Sequence, residues 1–144
     1  MTDRSLKGKK IVISAGASGI GWATTKVCIS RGAQVFLCDI NEKLINRINK
    51  NTKYKNKIFA YECDASNESD VINFFSKVLK KTKKIDALIN NVGIEGPTGT
   101  LDKIDSGEWE RTLQVNVVSH FYFTKQAIPI IKKNKKGSII NLSS

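Results

Sequence analysis

The chain has 144 residues, 40% hydrophobic and 26% charged, with a formal net charge of +11 from 24 Lys and Arg against 13 Asp and Glu. This suits one ordered globular domain with a sizeable core, and no apolar run approaches the roughly 20 residues of a membrane span. Cys28, Cys38 and Cys63 are too widely spaced for a disulfide framework or a zinc site, and Met1 to Lys7 lack the apolar segment of a secretory leader; the expectation is a cytoplasmic protein with no metal.

The first apolar run, Ile11-Val12-Ile13, predicts a strand over residues 9–14. Ser14-Ala15-Gly16-Ala17-Ser18-Gly19-Ile20-Gly21 follows, then a helix-period segment to Arg31. A strand, a tight turn and a helix start leave unpaired N–H groups and partial positive charge where a phosphate fits. A side chain at Gly19 or Gly21 would hold a pyrophosphate off those donors or the helix off the strand. The helix is expected to bury Ile20, Ala23, Thr24, Val27 and Cys28, with Lys26 and Arg31 outside. Such a turn alone serves backbone geometry as often as it serves binding. Strand 34–39 ends in Asp39, 18 residues past Gly21. That is close to the spacing of about 20 at which an acid meets the adenosine ribose in dinucleotide folds. The alternative is that Asp39 caps the helix that starts near Asn41.

Helix 42–50 and strand 58–63 come next. Asn67-Glu68-Ser69-Asp70 then opens a helix whose stripe is Val71, Phe74, Phe75, Val78 and Leu79, and lysines 80–84 suit its C-terminus. Strand 86–90 is apolar enough to be buried on both faces. A Gly/Pro/Thr loop at 93–100, a helix over 106–133 and a strand over 138–142 complete the alternation. The pattern predicts an α/β fold, a doubly wound parallel sheet with right-handed crossovers.

The helix over 106–133 is apolar on two sides. Trp109, Leu113, Val117, Phe121, Ile128 and Ile131 are expected on the sheet, while Val115, Val118, Tyr122 and Ile130 call for a second cover, a homo-oligomer through this helix. Pro129 should weaken its last turns. His120 reads as a core or interface histidine bonded to backbone, and Asn116 must find partners or cost about 1–3 kcal/mol. Lysines 9–10, 53–57, 80–84 and 132–136 are dispersed at element ends, arginine is scarce and no aromatic interleaves them, which reads as a solvated face and not as a nucleic-acid reader.

Together, Ser14 to Gly21, Asp39, Asp64, Asn90-Asn91-Val92-Gly93, Asn116 and Gly137 to Ser144 resemble the short-chain dehydrogenase/reductase family over nearly the whole chain. Ser14 and Ala15 stand where that family's turn has Thr-Gly, and Val92 replaces the usual Ala. The resemblance implies a Rossmann-type fold that binds NAD through Ser14, Ala15, Gly16, Ser18, Gly19, Ile20 and Gly21. It implies Asp39 and Ile40 at the adenosine ribose, Cys63, Asp64 and Ala65 beside the adenine, and Asn91, Val92 and Gly93 near the nicotinamide ribose. Asn116 would hold a water of a proton relay, and Ser144 would bond the substrate carbonyl or hydroxyl. NAD is expected over NADP, because Asp39 repels a 2′-phosphate and neither Ala17, Ser18 nor Ile40 supplies a cation.

The family's general acid/base is a Tyr followed four residues later by Lys. Here Tyr54, Tyr61 and Tyr122 are followed at that distance by Ile58, Ala65 and Gln126. The expectation is therefore an incomplete NAD(P)-binding domain over residues 1–144, truncated after the fifth strand of a domain of about 250 residues. The complete protein would move hydride between NAD(H) and a small alcohol or carbonyl substrate, without nucleic acid or membrane. The alternatives are a non-catalytic nucleotide-binding module or an inactive fragment.

Overall fold

The computed structural model describes residues 5–143. Strands β1 (Lys10–Ile13), β2 (Gln34–Asp39), β3 (Ile58–Glu62), β4 (Ala87–Asn90) and β5 (Ser138–Asn141) form one parallel sheet in the order β3-β2-β1-β4-β5. Its crossovers carry α1 (Gly19–Ser30), α2 (Glu42–Lys50), α3 (Glu68–Lys81), α4 (Ser106–Leu113) and α5 (Ser119–Lys133). These bounds lie within about one residue of those read from the sequence, and short 3-10 turns at Thr52–Tyr54 and Leu101–Lys103 are additional.

Strand alternation sorts the core into two layers. Val12, Phe36, Cys38 and Leu88 face one side with Phe74, Phe75 and Phe123 from α3 and α5. Ile11, Ile13, Val35, Leu37 and Ile89 face the other, with Cys28, Ile45 and Ile48 from α1 and α2. The sheet is thus covered on both faces, as a doubly wound fold requires. Helix α2 starts on Asn41, whose Oδ1 accepts the Leu44 N–H at 3.2 Å, and α3 on Asn67, whose Oδ1 accepts the Asp70 N–H at 3.2 Å. Acids in their first turns and lysines in the last turn of α3 complement the helix dipoles. Among the described residues no helix is long and apolar enough to cross a membrane.

Two expectations about helix faces are corrected. Helix α1 meets the sheet through Gly21, Thr25 and Cys28, leaving Ile20 68% exposed and Ala23 and Val27 outside. Glycine sets the closest approach at Gly21, so the residues one and two turns on follow it inward, and the Thr25 hydroxyl donates to the Gly16 carbonyl at 3.3 Å. The 106–133 helix is three pieces: Gln114–Val118 wind as a π turn between α4 and α5. Its buried row, Val115, Ser119, Phe123, Ala127 and Ile130, advances mainly in steps of four and includes two small residues, so hydrophobicity alone does not mark it. Trp109, Leu113, Val117, Phe121 and Ile128 lie outside, Val117 and Phe121 each 59% exposed, while Val118 and Tyr122 are half-buried. The uncovered apolar face is therefore opposite to the one expected. Pro129 lies inside α5 without ending it, on the exposed side.

Candidate functional site

The strand order reverses at β1: β2 and β3 lie to one side, β4 and β5 to the other. Ligands of open α/β sheets bind outside the strand carboxyl ends at such a switch point. The glycine-rich turn stands there, locked to the loop after β4. The buried Ser14 hydroxyl accepts the N–H groups of Asn91 at 3.0 Å and Val92 at 3.2 Å, while Asn91 Nδ2 donates to the carbonyls of Ser14 at 3.2 Å and Ala15 at 2.9 Å. Ala15 keeps a left-handed φ of 50° despite its methyl, at a cost on the order of 1 kcal/mol. A Cβ on Gly21 would lie 2.1 Å from the Ala15 oxygen and 2.6 Å from Asn91 Nδ2, and one on Gly16 2.7 Å from Leu37 Cβ. Gly19 differs: φ is +50° and the space beside it is open. Ser18 makes no side-chain cap and α1 has no acid in its first turn, so this helix start is unshielded. An anion fits it.

Asp39 is 8% exposed at the end of β2. One carboxylate oxygen accepts the Ala17 N–H at 3.2 Å, the other the Asn41 N–H at 3.1 Å. The cap of α2 is Asn41, so Asp39 braces the glycine-rich turn and is not the helix cap. Ile40 is exposed beside it. Ile40 and Asp64 line one cleft of about 240 Å³ with Glu62, Asp70, Asn73 and Lys77. Asp64 Oδ1 accepts both the N–H and the hydroxyl of Ser66, at 2.9 and 2.7 Å. Beneath it Cys63 and Ala65 are buried. Burial, reinforced by the neighbouring Cys63 thiol, holds the Cys38 thiol well above its ordinary range, so it stays a protonated core group.

A second cleft, of about 680 Å³, is lined by Ile20, Asn91, Val92, Gly93, Asn116 and Ser143, among others. Asn116 lies in the π turn and holds the loop after β4 like a clip: its Oδ1 accepts the Ile94 N–H at 2.8 Å and its Nδ2 donates to the Ile94 carbonyl at 2.9 Å. Its demand for partners is met by backbone. His120 Nε2 lies 3.1 Å from the Val92 oxygen, the backbone role expected of it. The predicted turn and loop residues thus meet at one edge of the sheet; Ser144 lies outside the described residues. The motif containing Asn90 and Asn91 shows in the sequence, but the bracing that Ser14, Asn90 and Asn91 supply does not. Asn90 Nδ2 ties β4 to Thr124 Oγ1 at 3.2 Å and Asn141 Oδ1 at 2.8 Å. An Asn-Asn doublet ending an apolar strand, where buried amides need partners, is the signal that could have found it.

The chain matches the short chain dehydrogenase family over residues 9–144. It is 33% identical to "Short chain aldehyde dehydrogenase 1" of Euphorbia lathyris, over 99% of this chain and 50% of that protein. It is 31% identical to the 3-oxoacyl-[acyl-carrier-protein] reductase FabG of Thermotoga maritima, over 96% and 56%. A solved 7α-hydroxysteroid dehydrogenase, complexed with NADH and 7-oxo glycochenodeoxycholic acid, superposes with a TM-score of 0.90 at 27% identity, over 100% of this chain and 56% of that one. The chain spans about half the length of the curated relatives it matches. Sequence and fold agree, and this chain belongs to the short-chain dehydrogenase/reductase family.

Proposed function

We propose that these residues are the cofactor-binding part of an oxidoreductase whose complete form passes hydride between NAD(H) and an alcohol or carbonyl substrate. The observation that carries this is the unshielded start of α1, held by Asp39 and Asn91 between the two clefts. In this reading the N–H groups of Ser18, Gly19 and Ile20 take the pyrophosphate, Ser14, Ala15, Gly16 and Gly21 shape the turn, and Asp39 with Ile40 meets the adenosine ribose. Cys63, Asp64 and Ala65 bound the adenine site, and Asn91, Val92 and Gly93 the nicotinamide ribose. The nicotinamide, when bound, gives or takes the hydride. Asn116 orders the loop facing it and holds a relay water, and Ser144 bonds the substrate oxygen.

NAD over NADP follows from the Asp39 carboxylate, beside which Ala17, Ser18 and Ile40 supply no cation. A homo-oligomer through Trp109, Leu113, Val117 and Phe121 would cover the exposed face of α4 and α5. Within these 144 residues no Tyr-x-x-x-Lys supplies the proton, a step typically worth 10²–10⁴-fold. A purified polypeptide of these residues should titrate with NADH in a calorimeter yet reduce no carbonyl. A reading frame extended through a Tyr-x-x-x-Lys should restore turnover. No NADH binding by either form would refute the cofactor assignment, and turnover by the shorter one would refute the assignment of the proton step.

A further inference from the structure

The lysine clusters are dispersed along the chain but not in space. Residues 7–10, 53–57, 80–84 and 132–136 contain fourteen lysines and no acid. They lead into β1, β3, β4 and β5, and in a parallel sheet all strand starts share one edge. In the order β3-β2-β1-β4-β5, the clusters form a row four strand spacings long, roughly 19 Å at about 4.8 Å each. It runs along the edge opposite Asp39 and the glycine-rich turn.

Thirteen of the fourteen lysines are exposed and Lys10 is half-buried. Asp86 is the one carboxylate among the described residues that forms ion pairs in the row, with Lys9 at 3.5 Å and Lys84 at 2.9 Å. Complementing helix dipoles accounts for Lys80, Lys81, Lys132 and Lys133 at the ends of α3 and α5. It extends to Lys83, whose ammonium donates to the Leu79 carbonyl in the last turn of α3 at 3.0 Å, but not to Lys84, Lys135 and Lys136, which lie past the last turns, or to residues 7–10 and 53–57.

We propose that this edge binds the phosphodiester backbone of a nucleic acid without reading its sequence. A row of positive charge matches a linear polyanion. Lysine ammoniums act as point charges that hold phosphates and do not select bases. No large hydrophobic side chain is exposed within the four clusters, whereas basic surfaces that dock on membranes ordinarily carry apolar groups to insert. Over 19 Å a duplex presents about eleven phosphates, about half of them on one side, so about five contacts are available.

The test is fluorescence anisotropy of a labelled 20-base-pair mixed-sequence DNA duplex with the purified protein between 50 and 200 mM salt. Five contacts give a log–log slope of about −4.5, an affinity loss of about 500-fold over that range. Lys57→Gln with Lys136→Gln should flatten the slope by about 2 and weaken binding at 50 mM salt. Lys43→Gln with Lys103→Gln removes the same charge elsewhere and should change neither. No binding at 50 mM salt, equal effects of the two pairs, or tighter binding to phosphatidylserine vesicles than to the duplex would each overturn the proposal.

Discussion

Gly21→Ala and Gly19→Ala separate packing from binding in one turn. At Gly21 the added methyl would lie 2.1 Å from the Ala15 oxygen, where real contacts stop near 3.0 Å, so α1 and the turn must part by about 0.9 Å. That movement also pulls at the two Asn91 Nδ2 bonds, to Ser14 and Ala15. Overpacking costs about 1–3 kcal/mol, and two weakened hydrogen bonds roughly 0.5–1.5 kcal/mol each. A loss of about 2–6 kcal/mol is expected, large against a total of roughly 5–15. At Gly19 the methyl meets nothing, so only the left-handed backbone is penalised, by about 1 kcal/mol. There the methyl would stand in the approach of the pyrophosphate, and NADH affinity should fall at least tenfold, about 1.4 kcal/mol. Urea unfolding and NADH fluorescence titration of both variants read the two effects. An unchanged urea midpoint in Gly21→Ala would refute the packing argument, and parental NADH affinity in Gly19→Ala would show that the phosphates bind elsewhere.

Asp39→Asn should erode the preference for NAD over NADP by roughly tenfold to several hundredfold, since like charges about 4 Å apart cost on the order of 1–4 kcal/mol; calorimetry with both cofactors decides, and a parent that binds NADP as tightly as NAD would sink the assignment. Burial pushes Asp86 upward, but the Lys10 N–H at 2.9 Å and the Lys84 and Lys9 ammoniums outweigh it and hold the carboxyl below its ordinary 3.8. Its stabilisation is complete above that value and lost as pH falls through the lower folded one. Asp86→Asn should therefore cost about 1–3 kcal/mol at pH 7 and progressively less below pH 3.8; urea midpoints that differ equally at neutral and acid pH would count against this. Val117→Asp with Phe121→Asp should dissociate the proposed oligomer, at roughly 1.5–3 kcal/mol for each lost apolar side chain, and sedimentation at micromolar concentration would show parent and variant alike if that face is not the interface.

The strands and the turn were legible because their signals are local. Ile11-Val12-Ile13, Gln34 to Asp39 and the caps at Asn41 and Asn67 each carry their own physical reason. The helix faces were less so, because they are settled by what the helix meets. Gly21 draws α1 inward and sends Ile20 outside; the π turn and the small Ser119 and Ala127 put Phe123 on the sheet in place of Phe121. The turn after β1 and the loop after β4 meet at one edge of the sheet, but the way Asn116 and Ser14 work, by bonding backbone some distance away in sequence, cannot be seen in a spacing. The lysine row is hidden for a related reason: runs far apart in sequence become neighbours only once the sheet order is known.

That order also has a consequence in time. Strand β1 pairs with β2 at Lys10↔Gln34, 24 residues on, but with β4 at Ile11↔Ala87, 76 residues on. At a synthesis rate of about 5–20 residues per second, the second edge of β1 waits roughly 4–15 s for its partner. Throughout that interval Ile11, Val12 and Ile13, the centre of the finished sheet, form an open apolar border. Nascent chains arrested before β4 emerges should therefore recruit chaperones that those arrested after it do not, and equal recruitment by both would show that the border is covered some other way.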